Sequence, residues 1–165
     1  MRLAVFALLA VNTAYYFCAG ALSKGLDSAA WLLLLSLFAS ETGFFSLRLP
    51  EAAMRAARLL AVAGICTAAV GYVIERNDLD ALNTALWIAV VMLLEFEVRR
   101  PREVATFRSA LKTAAALLYA SLGTLVLVWC WRGEWFDAYD ALLWLTAFAA
   151  IEMDLLGIGR SAAST

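Results

Sequence analysis

Apolar runs of membrane-crossing length follow one another along almost the whole of this chain, which restricts its folding to a lipid bilayer. Crossing about 30 Å of hydrocarbon takes roughly 20 consecutive, mostly apolar residues. Six such runs are read at about 3–22, 28–47, 57–74, 81–98, 110–131 and 141–158 of the 165 residues. Composition agrees: 64% of residues are hydrophobic, 16% are charged and the mean hydropathy is +0.81, whereas soluble domains sit near about 45–50% and 25%. The expected fold class is all-α, a polytopic transmembrane helical bundle of six spans paired as three helical hairpins, in a single transmembrane domain over 1–165. The first run follows Arg2 but is read as a retained helix, because it is longer than a signal h-region and carries Tyr15, Tyr16 and Phe17 near its far end.

The charges orient the bundle. With six spans and the N-terminus inside, the inner side holds Arg2, Arg48, Arg55, Arg58, Arg99, Arg100, Arg102, Arg108, Lys112 and Arg160, and the outer side keeps Lys24, Arg76 and Arg132, ten against three of the thirteen basic residues. Basic residues in short loops stay on the cytoplasmic side, so both termini are expected there, in a membrane of the bacterial inner (plasma) type. Cys18, Cys66 and Cys130 all fall within spans and read as apolar packing; Cys18 and Cys130 lie toward the same face, where a disulfide between them is conceivable.

A hairpin pattern recurs three times, over 1–50, 51–103 and 104–160. Its anchors are Asp27–Trp31–Glu41, Asn83–Trp87–Glu95 and Asp140–Trp144–Glu152, with the polar residue four positions before each Trp. The inner turns share Arg48-Leu49-Pro50-Glu51 and Arg100-Pro101-Arg102-Glu103, which hold the only two prolines of the chain where helices must end. Small-xxx-small pairs that allow close helix approach occur as Ala10/Ala14, Gly64/Ala68 and Ala116/Ala120.

Absences narrow the chemistry. The sequence has no His, no CxxC pair, no Gly-rich phosphate loop and no GxSxG elbow, so no catalytic residue, cofactor or metal is expected and an enzyme is disfavoured. Aromatic residues crowd the outer boundary, as in an interfacial belt, and Trp31, Trp87 and Trp144 read as interfacial anchors or packing slightly deeper. The carboxylates are the main lead. Glu41, Glu95 and Glu152 recur within the even spans, where a charge costs roughly 2.5–3.5 kcal/mol at mid-span and therefore needs a partner or a wet cavity. Each Glu either pairs with an inner arginine, as Glu95 can with Arg99 four residues on, or the three converge to bind protons or cations. The outer acidic segments Glu75–Asp80 and Glu134–Asp140, with Lys24 and Asp27, read as a solvated face, with electrostatic gathering of cations or weak calcium binding as the alternative.

Two functions are expected. One is a non-enzymatic accessory, assembly or regulatory subunit of a membrane complex, since the spans are unbroken and no exposed domain exists. The other is a proton or cation channel or carrier that uses the intramembrane glutamates. A vitamin importer's substrate-binding component matches only in size and helix count. The expected partners are the lipid bilayer and either other membrane subunits or further copies of the chain, and no nucleic acid.

Overall fold

The computed structural model describes the backbone of residues 2–41 and 50–162, with the side chains among them other than those of 2–3, 41, 97–98, 101 and 149–162. Those residues form helices joined by turns: α1 (Arg2–Cys18), α2 (Leu22–Glu41), α3 (Glu51–Ile74), α4 (Asp78–Arg99), α5 (Pro101–Arg132) and α6 (Trp135–Ala162). Each helix takes up most of one apolar run, although the run 3–22 outlasts α1 by four residues and residues 42–47 of the run 28–47 lie outside the described residues. The even helices begin about three to six residues before their runs, at Leu22, Asp78 and Trp135, because their polar first turns are helical too. Among the described residues four segments are long and apolar enough to cross a membrane, Leu22–Ser40, Glu51–Ile74, Asp78–Phe96 and Arg102–Arg132, and α1 adds a shorter apolar stretch, Ala4–Cys18. The chain is thus a helical bundle with the composition of an integral membrane protein.

Each helix packs on the helix before and the helix after it, and α6 packs on α1, so the six close into a ring. Every helix contributes to the main interior cluster, with Leu9 from α1, Leu35 from α2, Ile65 from α3, Val90 from α4, Leu122 from α5 and Phe148 from α6 among its members, and a second cluster of Leu125, Val126, Trp129, Ala138 and Ala141 lies between α5 and α6. The outer faces of α3 and α5 carry Leu59, Leu60, Val73 and Ile74, and Leu117, Leu127 and Trp131, all largely exposed. In water so large an apolar surface would drive association; against lipid tails it is already in its solvent.

Three tight turns at one end of the ring share one geometry. Gly20, Arg76 and Gly133 take positive φ of 78°, 55° and 77°. The following amide then closes back on the helix, from Ala21 to the Tyr16 carbonyl at 3.0 Å, from Asn77 to Tyr72 at 2.9 Å and from Glu134 to Trp129 at 2.9 Å. This is the left-handed C-cap that satisfies carbonyls orphaned at a helix end. At the opposite end, Pro50 precedes α3 and Pro101 opens α5, where the missing N–H is harmless. Beyond Pro101, Phe107 interrupts the helical backbone of α5 with φ −106° and ψ 20°.

The α2–α3 contact is built on small residues. Ala61 and Ala68 are buried, and a methyl added at Gly64 would lie 2.9 Å from Ala30 Cβ. Of the small-residue pairs in the sequence, only Gly64/Ala68 serves a close approach. Ala10, Ala14, Ala116 and Ala120 are exposed, because their spacing places them on the outward sides of α1 and α5. The three cysteines are free, and Cys18 and Cys66 lie on the surface.

Gly64→Val is therefore expected to lower stability by about 1–3 kcal/mol, the usual effect of overpacking. Gly123→Ala, where an added methyl meets nothing within 4 Å, serves as the neutral control. Thermal unfolding of both variants in detergent checks the difference.

Candidate functional site

The end of the ring that holds the three left-handed turns encloses a polar cavity of about 40 Å³, room for about three waters at 10–15 Å³ each. Its walls come from residues at matching distances from the three turns. Tyr16, Tyr72 and Trp129 each stand four residues before the turn residues Gly20, Arg76 and Gly133. Lys24, Asp80 and Asp137 follow those turns by four residues, Asp27, Asn83 and Asp140 come three later, and Trp31, Trp87 and Trp144 four later still. Steps of three and four residues keep side chains on one helix face, so α2, α4 and α6 each present a column of three. All twelve residues outside the turns line the one cavity.

The outermost tier is an ion triad. Lys24 Nζ lies 2.8 Å from Asp137 Oδ1 and 3.1 Å from Asp80 Oδ2, and 5.9 Å from the centre of the Tyr16 ring. Tyr16 Oη also donates to Asp137 Oδ1 at 3.0 Å, and the Asn77 amide donates to Asp80. Asp80 and Asp137 sit in or beside the first turns of α4 and α6, where the positive end of the helix dipole favours an anion.

The middle tier is deeper. Asp27 Oδ2 accepts from Thr84 Oγ1 at 3.0 Å and from Tyr72 Oη at 3.2 Å, and Asp140 Oδ1 accepts from Asn12 Nδ2 at 2.7 Å. Beside them Thr13 and Ser28 share a hydroxyl hydrogen bond of 2.7 Å. Asp27 is only 8% exposed, yet its Oδ1 has no hydrogen-bond partner, and neither has Asn83 Oδ1. Buried polar atoms are nearly always satisfied, and each orphan marks a function or a missing ligand. The Trp31 indole N–H is near Asp27 but likewise makes no hydrogen bond of acceptable geometry.

The floor is aromatic. Trp31, Trp87 and Trp144 are 6%, 4% and 7% exposed. They lie inside the ring and not at its lipid surface, because the column that carries the polar tier also carries them one turn further in. Phe148, the next turn of α6, stacks on Trp87 at 4.6 Å and on Trp144 at 6.5 Å between ring centres. The expected aromatic belt divides accordingly: Tyr15, Phe17, Trp131, Trp135 and Tyr139 are on the outside, and Tyr16, Tyr72 and Trp129 are buried in the wall.

The glutamates are placed differently from the aspartates. Glu95 is exposed, and Arg99 Nε pairs with it on the same helix. Its position eight residues past Trp87 turns it by about 80° from the inward column at 3.6 residues per turn, so it faces the surface. The side chains of Glu41 and Glu152 lie outside the described residues. Four aspartates against one lysine therefore make up the charge of the cavity, and all five came from segments that hydropathy reads as loops. The equal spacing from Tyr16, Tyr72 and Trp129 to the three tryptophans was the sequence signal for them. Among the described residues no three Cys, Asp or Glu side chains lie close enough to hold a metal ion.

Lys24 holds two carboxylates together, so its removal is expected to destabilise the ring. A fully buried pair that loses one partner costs about 3–5 kcal/mol; with Lys24 21% exposed, Lys24→Met should cost about 2 kcal/mol. Adding Asp80→Asn should recover part of that loss, and a double-mutant cycle of thermal unfolding measures the recovery. No family model, curated protein or solved structure matches the chain.

Proposed function

We propose that the protein is an integral protein of a bacterial inner (plasma) membrane that takes a small cation from the outer face into the aspartate cavity and carries it across. The observation that carries this reading is the unpartnered Asp27 Oδ1, buried in a cavity that four aspartates and a single lysine line. The formal charge of the lining favours a cation. Its size suits a small ion or an ion with one or two waters, and is far below the about 300–1,000 Å³ of a pocket for a drug-sized ligand.

In this reading six helices span the membrane as three hairpins with both termini inside, as the ten-to-three division of basic residues indicates. The left-handed turns and the acidic segments then face outward, and cations collect there electrostatically. The hairpins are three copies of one unit, a view supported by their equal spacings and by the meeting of equivalent residues in one cavity. The Trp87, Trp144 and Phe148 layer closes the inner side. Passage inward therefore requires that layer to shift, which is carrier behaviour and not that of an open pore. Glu95 takes no part; it belongs to an exposed ion pair of the kind worth about 0–1 kcal/mol.

Purified protein in proteoliposomes should accumulate a small cation when its gradient points inward. Asp27→Asn should abolish that flux, and Glu95→Gln should leave it within about twofold of the parent protein. A chain that moves no cation, and that leaves its native membrane in stoichiometric complex with another membrane protein, would be an accessory subunit instead.

A further inference from the structure

The cavity already holds one cation of known chemistry. The Lys24 ammonium is seated between two carboxylates and over the face of Tyr16, with Nζ at 2.8 Å and 3.1 Å from oxygen and 5.9 Å from the ring centre. One helical turn deeper a second polar tier is made of Asp27, Asn83 and Asp140. Asp27 Oδ1 and Asn83 Oδ1 are buried acceptors with nothing to accept from, on facing helices α2 and α4. The walls beyond them are Trp31, Trp87 and Trp144.

We propose that this inner half of the cavity binds a compact ammonium-type cation, either ammonium itself or a small primary amine in its protonated form. The proposal rests on the cation reading above and names its substrate class. An ammonium group suits the two free acceptors because it offers several N–H donors, while the third unpartnered buried atom, the Trp31 indole N–H, is a donor beside Asp27. The ligand must also tolerate aromatic faces in place of oxygen on its remaining sides, which cations do over tryptophan best of all. A metal cation meets the opposite conditions. Hard cations such as calcium take 6–8 oxygen ligands by the general rule, and among the described residues no three acidic or sulfur side chains gather closely enough. The volume of about 40 Å³ suits ammonium or methylammonium, and a quaternary ammonium has no N–H to give the free acceptors. Lys24 in the tier above offsets one of the two charges of Asp80 and Asp137, and Asp27 and Asp140 are the carboxylates nearest the proposed ligand.

Nanodisc-embedded protein is titrated at pH 7 with the chlorides of ammonium, methylammonium, tetramethylammonium, potassium, sodium and calcium, read by tryptophan fluorescence and by calorimetry. Ammonium and methylammonium should saturate with affinity at least tenfold above potassium and sodium, and tetramethylammonium should give no saturable signal. Asp27→Asn and Asn83→Leu should each weaken ammonium binding at least tenfold, with two substitutions in use so that a folding failure of one leaves the other as the test. Potassium, sodium or calcium binding as tightly as ammonium overturns the substrate class and leaves the cation reading standing, as does tetramethylammonium binding as well as methylammonium. Unchanged ammonium affinity in a folded Asp27→Asn or Asn83→Leu protein overturns the site. No saturable binding by any of these ions overturns both the site and the cation reading.

Discussion

Four carboxylates brought inside a ring of apolar helices constitute the central physical problem of this structure. In low dielectric an isolated carboxylate is expensive to hold in its charged form, and a group of them repels itself. The structure answers with one ammonium, shared hydroxyl and amide donors, and helix N-termini directed at the charges. Lys24 bridges α2 to both α4 and α6, so a single side chain ties together the three helices that line the cavity. Those helices pack chiefly on the odd helices between them. The ring therefore depends on the cavity as much as the cavity depends on the ring.

The aromatic floor follows from that arrangement. Charges one and two turns from the helix starts require water or ligand above them and a dry barrier below. Tryptophan supplies both: its bulk fills the space between the even helices, and its face tolerates a cation. Seven residues separate Lys24 from Trp31, about 10 Å at 1.5 Å per residue. Over that distance the interior passes from ion triad to closed hydrocarbon-like packing.

Much of the architecture was legible in the sequence, and the site was only partly so. Runs of apolar residues located every helix, because lipid requires backbone hydrogen bonds to close within the segment. The helix starts were misplaced for a definite reason. Lys24, Asp27, Asp80 and Asp137 look like loop residues on a hydropathy scale, which cannot separate a polar turn facing a cavity from one facing water. The recurring Asp–Trp and Asn–Trp pairs were visible, and all of them do line one cavity. Glu95 stands apart from that pattern, since a spacing of eight leaves the inward face, and it makes the ion pair with Arg99 that their spacing of four suggested. Spacings of four and three, counted from the turns, keep to the inward face. The burial of the tryptophans was not legible either, as the same residue serves equally at a membrane boundary and in a packed interior.

Of the three left-handed turns, two use glycine and the third uses Arg76 with φ 55°. A residue with a Cβ held in that region gives up roughly 1–2 kcal/mol that glycine does not. The hairpins are alike in geometry but unequal in backbone ease, and the α3–α4 corner is the one under tension. Among the three described left-handed corners, that cost falls on the one joining the helices that carry Tyr72 and Asn83 into the cavity.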